Sequence, residues 1–234
     1  MRDTEQMQVR KLECNRNELA EDVLAVEQNV ALEVDRELLI RTTCSPGRLR
    51  EWALGYLLSE GHISEPEDVE SMEVGSSPLR VALASSAPIE FVPPAPVASD
   101  LIVDRSLILA FAEEVVTQAA VFHETGGTHV MAIITKAEIV ALVEDISRSC
   151  ALEKALGLAL IEDVDFSRSL AFLSSRVPSR MVAKLARCGV PIVAAVSAPT
   201  VDAVRLAEQL DICLCGFVRA DRLNVYTHGW RVGL

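Results

Sequence analysis

Apolar and polar positions alternate with two periods along this chain, and the changes of period mark its elements. From Val30 to Leu39 apolar residues come and go around turn-forming ones, the pattern of a β-hairpin. Leu49, Trp52, Ala53, Tyr56 and Leu57 then recur at helical spacing. Ser45 and Pro46 suit the N-cap and first position of that helix, and Gly61 suits the position just past its end. Arg48, Arg50, Glu51 and Glu60 are expected on its wet side. Val69 to Leu83 is weakly strand-like. Gly75 to Asp100 is rich in Pro, Ser and Ala, and its end, Phe91 to Ser99, reads as a linker or mobile loop.

The punctuation is clearer in the second half. Asp104 can cap a helix running to about Phe122, and Thr125-Gly126-Gly127 reads as a turn. His129–Ile134 and Ile139–Val143 read as two strands around a short turn. Glu144-Asp145 precedes a helix reaching about Leu160, and Leu170–Leu173 is a strand. Pro178 opens a helix ending near Gly189. Pro191–Val196 is a near-continuous apolar strand, as expected where both faces are buried. Pro199 starts another helix, and Ile212–Val218 and Asn224–Thr227 are two further strands. Strands alternating with helices predict an α/β layered sheet. The division is residues 1–100 as a smaller α+β subdomain ending in the Pro/Ser-rich loop, and 101–234 as the main α/β domain.

Composition narrows the function. Half of the 234 residues are hydrophobic and only 4% aromatic, so the apolar mass is aliphatic, as in buried sheets flanked by helices. A formal net charge of −12 argues against nucleic acid as a partner, because phosphate neutralisation needs clustered Lys and Arg. It leaves room for a local basic pocket that holds one small anion. The N-terminal stretch is charged without an apolar signal region, and no apolar run approaches the roughly 18 residues of a membrane span, so a cytoplasmic protein without a membrane partner is expected. Six cysteines are scattered without a C-x-x-C pair and read as packed thiols. Cys213 and Cys215 alternate on one strand and are expected in the core.

Ligands of open α/β sheets bind outside the carboxyl ends of strands, and four junctions of that kind carry candidate chemistry. Ser197, between a strand and the helix opened by Pro199, suits either an N-cap or a donor to phosphate, with Asp202 working against an anion there. Gly216-Phe217-Val218-Arg219-Ala220-Asp221-Arg222 places a ring and two guanidinium forks after a strand, suited to a nucleotide edge or to a solvated turn. Gly126 and Gly127 allow close backbone approach ahead of His129. Glu144 and Asp145 can cap a helix, pair with Arg148 or bind a partner. A zinc deaminase would need H-x-E with P-C-x-x-C, and neither occurs.

TGGTH, EDISR, SAPT-x-x-AV-x-LA, GF-x-R and N-x-YTH occur in this order, with WALGYLLSEGHI near the front. From about Asn29 to Val232 the chain thereby resembles the formate dehydrogenase accessory sulfurtransferase family, FdhD. The resemblance implies a cytidine-deaminase-like three-layer α/β/α domain with a smaller N-terminal subdomain, and a homodimer. It implies sulfur received as a persulfide from a cysteine desulfurase. That sulfur would pass to the molybdenum bis-molybdopterin guanine dinucleotide cofactor, which is carried rather than permanently bound, before the cofactor enters formate dehydrogenase. A GDP-like nucleotide would then bind at Phe217, Val218, Arg219, Ala220, Asp221 and Arg222, with Ser197, Gly126, Gly127, His129, Asp145 and Arg148 beside it. No metal site is implied. The chain departs from the family pattern where a C-x-x-C loop is expected: FVPPAPVASD stands there, without a thiol to carry the sulfur. Cys150, near a helix N-terminus and close to Arg148, is the candidate replacement, and Cys44 the second. Without such a thiol the alternative is a non-catalytic chaperone that binds the molybdenum cofactor or a guanine nucleotide.

Overall fold

The structure is a computed structural model and describes residues 3–75, 77–84, 93–135 and 138–234. A two-stranded ribbon, β1 (Thr4–Glu13) and β2 (Arg16–Ala25), comes first. Four strands follow, β3 (Gln28–Val34), β4 (Glu37–Cys44), β5 (Val69–Glu73) and β6 (Leu79–Leu83), which form a sheet of order β4-β3-β6-β5. Helix α1 (Leu49–Glu60) lies between β4 and β5 in the chain. Its end is closed by Gly61 at φ 84°, whose amide reaches Leu57 and Leu58, as the sequence predicts.

The larger sheet has six strands in the order β12-β11-β10-β9-β7-β8. They are β7 (His129–Ile134), β8 (Ile139–Asp145), β9 (Leu170–Leu173), β10 (Ile192–Ala195), β11 (Cys213–Gly216) and β12 (Asn224–Val225). Between and around them run α2 (Arg105–Thr117), α3 (Ala120–Thr125), α4 (Arg148–Ile161), α5 (Ser179–Arg187) and α6 (Val201–Gln209). Strands β9, β10 and β11 are parallel, and β7 and β12 run against their neighbours. Successive strand side chains point to opposite faces, and each face is covered. Met131, Leu173, Val193 and Leu214 pack with Leu152, Val182 and Ala203 of α4, α5 and α6. Val130, Phe172, Ile192, Cys213 and Cys215 pack with Ile108, Phe111 and Val115 of α2. This is the expected α/β/α sandwich, and Cys213 and Cys215 are core residues.

The smaller sheet joins the larger one through a tight crossing of α1 and α4. A Cβ on Gly55 would stand 1.7 Å from the Glu153 carbonyl oxygen, and one on Gly157 1.9 Å from that of Glu51. Glycine is therefore required at both positions. The crossing also buries charge. The Lys154 ammonium lies 2.6 Å from Asp145 and donates to the Ser45 carbonyl. Lys184 sits 2.8 Å from Glu153 and 2.9 Å from Glu60, and the Trp52 indole donates to Glu153 at 2.8 Å.

Several expectations are corrected. The β1–β2 ribbon has no counterpart in the sequence reading, because it is exposed on both faces and leaves Met7, Leu12 and Leu19 in solvent, which removes the one-sided alternation. Helix α1 starts at Leu49 after Arg48 in the left-handed region (φ 57°). Ser45 does not cap it, and its hydroxyl accepts from the Ile146 amide. Glu60 is not on a wet face but collects Arg180, Lys184 and Arg187. The helix capped by Asp104 breaks at Gln118-Ala119, and α3 begins after the break. Within the segment read as a linker or mobile loop, Phe91 and Val92 lie outside the described residues. Residues 93–99 form neither helix nor strand, as a linker would, and are tied down at two points: Val97 is buried with its amide on the Leu210 carbonyl, and Ser99 donates to Ser167.

Candidate functional site

Strand direction assembles the site. The carboxyl ends of β8, β9, β10 and β11 share one edge of the sheet, and β7 and β12, running the other way, begin there. His129 faces Asp145 across the β7–β8 pair. Gly126 and Gly127 lead into β7, Arg148 opens α4 from β8, Ser197 follows β10, and Phe217 to Arg222 follow β11. Four segments scattered over almost 100 residues thus meet along one edge, the place where open α/β sheets bind ligands.

The β11 loop is the most sharply shaped part. Phe217 has φ 53°, a left-handed conformation that costs a non-glycine residue about 1–2 kcal/mol. Its amide donates to the Ser197 carbonyl at 3.3 Å, and the Val218 amide donates to Ala195. These bonds tie the β10 and β11 junctions together and leave the Phe217 ring 42% exposed. Val218 is buried and serves the core. The Arg219 guanidinium turns back onto the carbonyls of Val196 (2.6 Å) and Val218 (2.7 Å), and its amide closes the turn on the Arg222 carbonyl. Ala220, Asp221 and Arg222 are exposed.

Ser197 is not an N-cap. Thr200 caps α6, its hydroxyl accepting from the Ala203 amide, so the Ser197 side chain has no part in that helix start. The glycine turn is held from below by Glu144, which accepts from the amides of Val121 (3.0 Å) and Phe122 (2.6 Å) and from the Thr128 hydroxyl (3.0 Å). Glu144 therefore satisfies the start of α3 rather than capping α4, whose N-cap is Ser147. Gly126 ends α3 at φ 64°, where glycine is favoured.

Asp145 is inward-facing and fully buried. It accepts from the Ser45 and Ser147 amides and pairs with Lys154. Burial pushes its carboxyl up, and Lys154 and the two amides pull it back. His129 is half-buried, and burial together with the Arg148 charge holds its imidazole below the ordinary range, so the ring on the edge is neutral at pH 7. Arg148, Arg176, Arg219 and Arg222 are all exposed along this edge. Asp145 is matched by Lys154, so the four arginines face the carboxylates of Glu144, held by three neutral donors, and of the exposed Asp221.

Cys150 lies apart from this arrangement. It occupies the first turn of α4, where its amide donates to Ser147, yet the thiol is 1% exposed and points into the core of the smaller sheet. It lies 3.7 Å from the Thr42 hydroxyl and 3.9 Å from the Thr43 carbonyl. A hydrogen bond from Cys44 lowers the Cys150 thiol, and the same contact with burial raises that of Cys44. Among the other cysteines Cys14, at the tip of the β1–β2 ribbon, is exposed, and Cys188 is half-buried and pushed up to about 12 by burial.

The model of the FdhD/NarQ family matches residues 25–92 and 86–233. The sulfur carrier protein FdhD of Methanothermobacter thermautotrophicus is 34% identical over 82% of this chain and 84% of its own length. That of Anaeromyxobacter dehalogenans is 33% identical over 91% and 89%. The crystal structure of a candidate formate dehydrogenase accessory protein from Desulfotalea psychrophila superposes with a TM-score of 0.85 at 22% identity, covering 98% of this chain and 99% of that one, and so shares its fold. With the family model spanning nearly the whole chain, this protein belongs to the FdhD/NarQ family.

Proposed function

We propose that this protein is a formate dehydrogenase accessory factor whose carboxyl edge holds a guanine dinucleotide end of the bis-molybdopterin cofactor while sulfur is supplied to the metal. The names of its relatives, sulfur carrier proteins, support the sulfur-handling half. The observation that carries the nucleotide half is the meeting of Ser197, Phe217 and Arg222 at the adjoining β10 and β11 junctions, with an exposed aromatic residue and, in the same loop, an exposed arginine whose guanidinium has no partner among the described residues. Rings take bases and arginine forks take phosphates. The neutral His129 and the Gly126-Gly127 turn supply uncharged surface along the same edge. Arg219 shapes the loop through its carbonyl contacts, and Arg222 and Arg148 are the arginines left to meet an anion. The cofactor is cargo here, passed on to formate dehydrogenase. A cysteine desulfurase is the sulfur donor, the working unit is a dimer, and the location is the cytoplasm. No helix among the described residues is long and apolar enough to cross a membrane.

In the transfer step a protein thiolate attacks the outer sulfur of the donor's persulfide, a new S–S bond forms, and the donor cysteine leaves as thiolate. Cys150 is the candidate acceptor. Its burial favours a second reading, in which the protein binds and presents the cofactor without carrying sulfur itself. Incubation with a cysteine desulfurase and cysteine, followed by mass spectrometry of the intact chain, separates the two. An added sulfur that maps to Cys150 and is lost in Cys150→Ser supports transfer. A chain that stays unmodified, yet binds GDP by calorimetry, leaves binding alone. Absence of GDP binding overturns the nucleotide site in either reading.

A further inference from the structure

The closing triplet Tyr226-Thr227-His228 belongs to one of the motifs that carry the family resemblance, and the structure accounts for two of its residues. The Thr227 hydroxyl donates to the Ile212 carbonyl at 2.6 Å and accepts from the Leu214 amide at 3.0 Å, which pins the last strand to β11. The His228 ring reaches the Glu208 carbonyl at 3.0 Å. Tyr226 has no such task. Its backbone amide donates to Leu214, but among the described residues nothing bonds its hydroxyl, and the side chain is 37% exposed.

Its position is informative. A Cβ on Gly216 would meet Pro199 at 2.9 Å, a ring carbon of Tyr226 at 3.1 Å and the Ser197 carbonyl at 3.2 Å. Tyr226 therefore packs against the glycine at which the β10 and β11 junctions meet. Phe217, the next residue along the chain, is the other exposed ring there, held outward by a left-handed backbone. Backbone strain of this kind concentrates at ligand sites, and here it falls on the residue that follows the glycine against which Tyr226 packs.

We infer that Tyr226 is a further ligand-contacting residue of this edge, and that with Phe217 it forms an aromatic platform for the planar base of a nucleotide. Gly216, lacking a side chain, leaves the space that the tyrosine ring approaches. The phosphates of the same ligand fall to Arg222. This rests on the nucleotide reading of the edge given above, and it adds the base-recognition element on β12, which the loop residues alone do not provide.

The chain has only two tyrosines, and the other, Tyr56, is buried in α1. GDP titrated into protein carrying ring-labelled tyrosine should shift the Tyr226 resonances upfield and leave those of Tyr56 in place. In calorimetry, Tyr226→Ala should weaken GDP about tenfold or more, the size of one lost stacking contact, and leave pyrophosphate binding unchanged; Tyr226→Phe should bind GDP as the parent does. GDP binding with no shift at Tyr226 and undiminished affinity in Tyr226→Ala overturns the platform and leaves the nucleotide reading standing. If the parent protein binds pyrophosphate but not GDP, or binds neither, the platform and the nucleotide reading fall together.

Discussion

At the α1–α4 seam Lys154, Lys184, Asp145 and Glu153 are buried and every one is paired, whereas at the carboxyl edge Arg148, Arg176, Arg219 and Arg222 stand in solvent. Each region gathers charge from distant parts of the chain, and each uses glycine for close approach: Gly55 and Gly157 at the seam, Gly216 at the edge. The difference lies in what the charge faces. Buried ions must be matched one for one, because an unmatched ion away from water is costly. Exposed arginines cost little by standing alone, and Arg148 and Arg222, unlike Arg219, keep their donors for a ligand. The seam's charges are committed to the fold, and those of the edge are open to the proposed ligand, so substitutions should divide along the same line.

The largest effect is expected at the seam. Lys154→Met leaves Asp145 buried without its cation and should cost about 3–5 kcal/mol in urea unfolding; a loss under about 1 kcal/mol would falsify the pairing as a structural tie. Gly157→Ala drives a methyl group into the Glu51 carbonyl and should cost about 1–3 kcal/mol or more. At both positions the exposed arginines of the edge are untouched.

Acid sharpens the comparison further. Burial pulls the Glu60 carboxyl up, but Arg180 and Lys184 outweigh it and hold it below 4.5. Its stabilisation is present above that value and is lost as pH falls through the lower folded one. His129 is held below 6.5, so the unfolded chain takes up that proton first. Stability should therefore decline in two windows, just below pH 6.5 from the edge and below 4.5 from the seam. Thermal melts across pH should show the upper window flattened in His129→Gln and the lower one in Glu60→Gln. The smallest change in stability is expected from Phe217→Gly. Relief of left-handed strain, about 1 kcal/mol, offsets the entropy that glycine adds to the unfolded chain. The melting temperature should barely move while GDP affinity falls.

Most of the larger sheet was legible in the sequence because its strands are buried on both faces, and continuous apolar runs such as Pro191–Val196 announce themselves. Leu170–Leu173 was placed to the residue. What failed depends on partners far away in the chain. Ser45 looked like a helix cap and instead meets Ile146, 101 residues on. Glu60 looked solvated because Arg180, Lys184 and Arg187 were not yet beside it. The strand-to-helix junctions were legible, since glycines and arginines follow apolar runs there. The roles of Glu144, Asp145 and Arg219 were not, because their partners depend on which strand lies next to which. Tyr226 carried no local signal beyond its motif.

The glycine crossing also has a kinetic consequence. The β1–β2, β3–β4 and β7–β8 ribbons are hairpins between neighbouring segments and can close within microseconds. The Trp52–Glu153 contact joins residues 101 apart, so α1 must find α4 after most of the intervening chain has been organised. The search for that one interlocking geometry is the slow step to expect in refolding. A substitution at Gly55 should lengthen the refolding time even under conditions where the hairpins form unchanged.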